Sequence, residues 1–337
     1  MEFVLTIAVP VDLADAALAA EMAEDLAVVE AALRDNSFGG EEMFADVSRH
    51  MMAAGGKRFR AMLVLLAARF GDYRDKRIVS AAVAIELTHL ATLFHDDVMD
   101  EASMRRGHES ANSRFGNSVA ILAGDYLFAR ASRILADLGP DAIRIQAETF
   151  GRLVDGQLLE TVGVRPGEDP LDHYMHVITE KTGSLIATSG RFGAMFAGLP
   201  GETADLISEA CLRIGVAWQL SDDVLDIASS SAESGKEQGT DLRQGVRTLP
   251  VLYALRDSSA DQDAVRLRDL LRGGELTDPE LHAEALRLLR ESPALEEARK
   301  TVRNWIGEAR DLLAQLPDVP ARAAFESLCD FVITRTA

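Results

Sequence analysis

From Arg77 to Met99 the chain runs without proline or glycine, rich in apolar residues, and it ends in three acids within five positions, Asp96-Asp97-Val98-Met99-Asp100. Such a run reads as one long helix carrying the acids at its C-terminal end. On a helix, residues four apart lie one above the other, so Asp96 and Asp100 share a face. Two carboxylates stacked in this way repel one another unless a cation lies between them. Mg²⁺ suits the position, because it takes one or two carboxylates and completes its shell with water and phosphate oxygens. Arg105 and Arg106 follow directly, and guanidinium groups suit phosphate. A metal-binding acid face followed by an arginine pair reads as a diphosphate site. The plainer alternative is an exposed acidic helix end.

A second copy of the spacing weighs against that alternative. Asp222, Asp223 and Asp226 repeat it about 126 residues later, again among apolar residues, with Gln219 one turn before Asp222. Acids in an apolar helix are costly unless paired or metal-bound. Two copies suggest two facing helices around one cluster of cations.

Composition narrows the class. The chain has 337 residues, 47% hydrophobic, 26% charged and 6% aromatic. No strand-like alternation is sustained, so the expectation is all-α, one large helical bundle with a central tunnel, spanning 1–337 as a single domain. A net charge of −19 argues against a nucleic-acid partner and means that an anionic substrate needs metal and a local basic pocket. Cys211 and Cys329 fit neither a zinc spacing nor a disulfide framework, which makes reduced thiols and a cytoplasmic location the expectation. No continuous apolar run is long enough to span a membrane, and Met1–Pro10 lacks the basic start of a signal peptide, so residues 1–35 read as an arm and a helix.

Further helices are expected at Asp12–Leu33 (capped by Asp12 or Asp15), Glu41–Met52, from Lys57 through Ala67, and over Gly116–Leu135, Asp141–Val162, Leu171–Thr188 and Glu202–Ile227. Gly55-Gly56-Lys57-Arg58-Phe59-Arg60 sets glycines and basic residues at a helix start, where free N–H groups can hold a phosphate. Ile121–Phe128 reads as core lining the tunnel. The stretch 228–241 is a serine- and glycine-rich loop. From Val251 onward the helices are charged and amphipathic, with no chemistry of their own, and read as buttresses.

Together, and in this order, these motifs resemble the trans-isoprenyl diphosphate synthases of the polyprenyl synthetase family, from about Gly55 to the C-terminus. The resemblance implies a Mg²⁺-dependent prenyltransferase with three metal ions and a homodimeric state. It makes Asp96, Asp97, Asp100, Asp222, Asp223 and Asp226 the metal residues. Lys57, Arg60, His89 and Arg106 are implied for isopentenyl diphosphate. Arg105, Lys181 and Lys236 are implied for the allylic diphosphate, with the 228–241 loop as a lid. Gln219 and Thr182 are implied as oxygen dipoles toward the developing cation. His95 has no such role and reads as structural. Two departures stand out: Ala61 where proline is usual, and Arg247 where many members have lysine.

The implied reaction is successive condensation of isopentenyl diphosphate onto an allylic diphosphate, farnesyl or geranylgeranyl. Short-chain members place aromatics just before the first motif, whereas this chain has Ala91 and Thr92, with Thr88 one turn deeper. Eight residues of helix span ~12 Å, which predicts an all-trans product on the order of six to ten isoprene units, suited to a menaquinone or other quinone side chain. Release of such a product leaves room for a peripheral membrane contact. Rival readings are a geranylgeranyl-length synthase, a non-catalytic partner subunit, a class I terpene synthase and a purely structural bundle. The complete Asp222-Asp223-x-x-Asp226 motif and the Gly-Lys-Arg motif tell against the terpene synthase, the presence of both aspartate motifs against the partner subunit, and the order of the motifs against the structural bundle.

Overall fold

The computed structural model describes residues 13, 15–37, 46, 47, 50, 56, 58–105, 107–228 and 238–336. Lys57, Arg106 and Lys236, the first arm, most of Glu41–Met52 and most of the 228–241 loop lie outside the described residues. Among the described residues the chain is helical except for one hairpin, in which Met104–Arg105 pairs antiparallel with His108–Glu109. The contacts divide the chain into two compact units, residues 1–151, 185–211 and 313–328 in one and 152–184, 212–312 and 329–337 in the other.

The first unit is built on the Lys76–Met99 helix. Asp75 caps it by accepting from the Arg77 N–H at 2.8 Å. Ile85, Leu87, Ala91 and Phe94 are wholly buried on different sides of this helix. A helix apolar nearly all round must be covered nearly all round, and here the helices Ala16–Ser37, Phe59–Ala68 and Asn117–Leu138 pack on it. Each fully buried large apolar side chain contributes roughly 1.5–3 kcal/mol. By length and mean hydropathy this helix could cross a membrane, although it holds no unbroken apolar run; 67% of its most apolar window is buried within the chain, as in a core helix. Gly193 of the Ser184–Phe196 helix permits a close approach, since a Cβ there would lie 2.1 Å from the Val64 carbonyl oxygen.

Asp15 caps the first helix, accepting from the Ala17 and Leu18 N–H groups at 2.8 and 3.0 Å. The helix expected at Gly116–Leu135 runs Asn117–Leu138. Only part of it is core, contrary to the expectation for Ile121–Phe128. Ala123, Gly124 and Leu127 are buried, whereas Ile121 and Leu122 are exposed, because the apolar run covers more of the helix circumference than its neighbours do.

The second unit opens with Arg152–Ser184. The helix expected over Leu171–Thr188, with a kink at Lys181-Thr182-Gly183 implied by the resemblance, divides into an α-helix Pro170–Ile178, a π-turn Thr179–Gly183 and a new α-helix from Ser184. Asp169 caps the first piece and Asp278 caps Pro279–Glu291, each just before a proline that suits the first helical turn. Leu267, Leu289, Val302 and Ile306 form part of this unit's core.

Candidate active site

The three acids of the first motif have different environments. Asp100 ends its helix with an N–H bond to the Asp96 carbonyl at 2.8 Å, so the spacing that places the two acids one turn apart is kept. Asp96 is half-buried and Asp100 exposed. Asp97 points inward, and its side chain is 0% exposed. The hairpin brings Arg105 back to it: Arg105 Nε donates to Asp97 Oδ1 at 2.6 Å and Nη2 lies 2.5 Å from the same oxygen. Gly107, at φ 79°, makes the tight turn that permits this return. No strand signal in two-residue segments announced the hairpin.

Before this motif on the same helix, His89 is half-buried and Arg60 sits in the first turn of Phe59–Ala68. Arg58, the other arginine of that basic segment, is instead part of the scaffold. It is buried in a left-handed conformation at φ 49° and donates from Nε to Glu30 at 2.6 Å, with Glu86 at 3.7 Å. His95 Nε2 lies 3.2 Å from the Ile121 carbonyl oxygen, and its ring is near Phe128. Thr88 and Ala91 are fully buried and Thr92 half-buried. The Thr88 hydroxyl accepts from Gln146 Nε2 at 2.7 Å, and beside Gln146 lies a cavity of about 210 Å³ lined by Phe128, Leu135, Ile143 and Phe150.

In the second unit each acid of the second motif has a protein partner. Asp226 Oδ1 and Oδ2 accept from the Thr240 and Asp241 N–H groups, both at 3.2 Å, and so receive the chain where it returns from the loop. Asp223 is buried; the Tyr174 hydroxyl and the Leu249 N–H (3.3 Å) both donate to its Oδ2. Burial pushes the Asp223 carboxyl up to about 7, opposed by those two bonds and reinforced by the charges of Asp241 and Asp222. Burial, with Asp223 beside it, also raises the Tyr174 hydroxyl well above its ordinary value. Asp222 pairs with Arg335, the residue just past the Pro320–Thr334 helix. Sequence reasoning read that last segment as a buttress, and nothing in residues 113 positions apart announces the pairing.

Lys181 and Thr182 lie in the π-turn, a feature frequent at functional sites. Lys181 Nζ pairs with Glu160, and the Thr182 hydroxyl donates to Gln219 Oε1 at 3.4 Å. Thus Lys181, Thr182 and Gln219 gather in one unit with the second motif. Arg105 and His89 belong with the first.

The donor chemistry fits a hard divalent cation. Asp96, Asp100, Asp222 and Asp226 offer only oxygens and all keep some exposure, while Asp97 and Asp223 are committed inward. Among the described residues, no three His, Cys, Asp or Glu side chains stand already gathered for an ion. Cys211 and Cys329 are both free and buried.

Residues 41–289 match the polyprenyl synthetase family. The chain is 48% identical to a nonaprenyl diphosphate synthase of Mycobacterium tuberculosis over 98% of both chains. Among solved structures it is similar to a geranylgeranyl pyrophosphate synthase of Corynebacterium glutamicum complexed with calcium and isoprenyl diphosphate (43% identity, TM-score 0.87, 97% of this chain and 100% of that one). It is also similar to a decaprenyl diphosphate synthase of Rhodobacter capsulatus (34% identity, TM-score 0.84, 95% and 99%). With residues 41–289 matched to the family and a relative 48% identical over nearly the whole chain, the conclusion is that this chain belongs to the polyprenyl synthetase family of prenyltransferases.

Proposed function

We propose that the protein condenses isopentenyl diphosphate in successive head-to-tail steps onto farnesyl or geranylgeranyl diphosphate, giving a long all-trans polyprenyl diphosphate for a quinone side chain. The observation that carries this reading is the ordered set of motifs on a chain that aligns over 98% of its length, at 48% identity, with a nonaprenyl diphosphate synthase.

Mg²⁺ held by Asp96, Asp100 and Asp222, with Asp226 and the inner acids Asp97 and Asp223 in support, would supply Lewis-acid neutralisation of the leaving diphosphate. The chain's own side chains do the rest. Lys57, Arg60, His89 and Arg106 hold isopentenyl diphosphate. Arg105, Lys181 and Lys236 hold the allylic diphosphate, Arg105 and Lys181 exchanging part of their present bonds to Asp97 and Glu160 for phosphate oxygens. The allylic C1–O bond breaks and its electron pair leaves with diphosphate. The double bond of isopentenyl diphosphate then supplies the pair for the new C–C bond. Thr182 and Gln219 present oxygen dipoles to the cationic carbon, a fixed electrostatic aid. The departing diphosphate removes the C2 proton, so no protein base is required.

Product length is read from the wall below Asp96. Ala91, Thr92 and Thr88 leave it without an aromatic for ~12 Å of helix. One observation favours a shorter, geranylgeranyl-length product: Phe128 packs on Phe150 at 4.3 Å between ring centroids on the facing helices. A homodimer is proposed as well, supported by Val154, Leu158 and Val162, exposed at four-residue spacing along the Pro140–Val162 helix.

The test is incubation with Mg²⁺, labelled isopentenyl diphosphate and farnesyl diphosphate, with the products sized by chromatography. A ladder extending well beyond four isoprene units is expected. A single four-unit product would overturn the length assignment alone, and no elongation with any allylic primer would overturn the activity.

A further inference from the structure

Three carboxylates within five residues, on a chain of net charge −19, repel one another and are eased by a positive partner. For Asp222 that partner comes from the far end of the chain. Arg335 Nη2 pairs with Asp222 Oδ1, and the guanidinium carbon lies 4.4 Å from the ring centre of Trp218, one helical turn before Asp222, and 6.0 Å from that of Phe331. Trp218 and Phe331 themselves stack at 5.9 Å. The backbone fixes this reach. The N–H groups of Arg335 and Thr336 bond back to Phe331 and Ile333, both at 3.1 Å, and the buried Thr336 offers its carbonyl to Arg299 Nε at 2.8 Å. A basic residue is also favoured where a helix ends.

The guanidinium is nevertheless incompletely bonded. Its Nη1 is buried, and among the described residues it has no hydrogen-bond partner. An unmet buried donor costs roughly 1–3 kcal/mol, which offsets part of what the ion pair and the aromatic contact contribute. Asp222, by contrast, keeps 45% of its side chain exposed. Arg335 is thus held near the carboxylate by backbone and ring contacts, while the carboxylate keeps an exposed side that a second, doubly charged partner can approach.

We propose that Arg335 is the resting counter-ion of Asp222, a latch at the end of the Pro320–Thr334 helix that a divalent cation displaces from the second aspartate motif. The latch neutralises one charge of the motif in the metal-free protein and holds the last turn of chain over Trp218. Cation binding takes over the carboxylate, moves the guanidinium on Trp218, and so couples metal occupancy to the position of this helix end. Arg335 is here a positioning residue and touches no reacting atom. The inference rests on the metal-dependent reading above.

The chain has two tryptophans, so a W305F background leaves Trp218 alone as a reporter. Mn²⁺ binding, measured by the loss of the free-ion paramagnetic resonance signal, and Trp218 emission are followed together, without substrate. The expected result is that Mn²⁺ binds the W305F protein and shifts its emission. In W305F/R335Q, Mn²⁺ should bind about 1.5–5-fold more tightly, as for one partly exposed ion pair, with the emission response largely lost. W305F/R335K, which keeps the charge without the planar stack, should bind Mn²⁺ with an affinity between the two. Equal or weaker Mn²⁺ binding in W305F/R335Q would overturn the latch while leaving the metal reading intact. Absence of Mn²⁺ binding in both proteins would overturn the metal reading and the latch with it.

Discussion

Arg105 lies on Asp97, eight residues earlier, with Nε 2.6 Å from a carboxylate that is wholly enclosed. The middle acid of the first motif is therefore bonded inward while its neighbours keep some exposure. Removing one partner of such a pair leaves a buried charge. R105M should lose roughly 2–4 kcal/mol of stability, discounted from the fully buried case because Arg105 is 29% exposed. The double variant D97N/R105M should recover a good part of that loss. Denaturant unfolding of the two proteins decides the matter, and equal losses would mean that the ion pair has no share in stability.

Asp223 leads to a pH dependence. Its folded value is pushed up to about 7 by burial, above the unfolded carboxylate range. The folded state therefore holds this proton more tightly than the unfolded state. The resulting stabilisation is full below about pH 4 and disappears as the pH rises through about 7. D223N cannot ionise and escapes that loss. Relative to the parent, D223N should gain on the order of 1–3 kcal/mol between pH 5 and pH 8. Thermal unfolding in the presence of a chelator measures it; a difference independent of pH would show that the buried acid does not titrate in this range.

Gly156 sets the place of the π-turn. A Cβ there would come within 2.6 Å of the Lys181 backbone nitrogen and 3.0 Å of its Cα, atoms that cannot swing aside as a side-chain end can. G156A should shift Lys181 and Thr182 at a stability cost of roughly 1–3 kcal/mol. Steady-state kinetics should show a raised KM for the allylic primer and a reduced kcat, with little change in KM for isopentenyl diphosphate. Unaltered kinetics would separate the π-turn from substrate handling.

Thr92 tests the length assignment. It is half-buried one turn before Asp96, and its hydroxyl donates to the His89 carbonyl at 2.8 Å. T92F places an aromatic ring on the wall one turn before Asp96. The main product should shorten to about four units or fewer, since each turn of helix advances ~5.4 Å along the wall. Chromatography of the extracted products reads this directly, and an unchanged ladder would move the length determinant elsewhere.

What the sequence determined by itself is local. Helical spacing placed Asp96 over Asp100 and Asp222 over Asp226, because these relations span one turn of backbone and need no distant partner. The order of the motifs likewise sufficed to indicate the family to which the chain belongs. What only the tertiary structure decided is which acids face inward and what they meet there. Asp97 and Asp223 are the same residue type as their neighbours, one position along, yet a rotation of about 100° per residue turns them into the interior, where Arg105 and Tyr174 wait. The π-turn at Lys181 depends on a glycine of another helix, and the pairing of Asp222 with Arg335 joins positions 113 residues apart. A burial or a charge pair is a property of two surfaces brought together, and spacing along one strand of sequence describes only one of them.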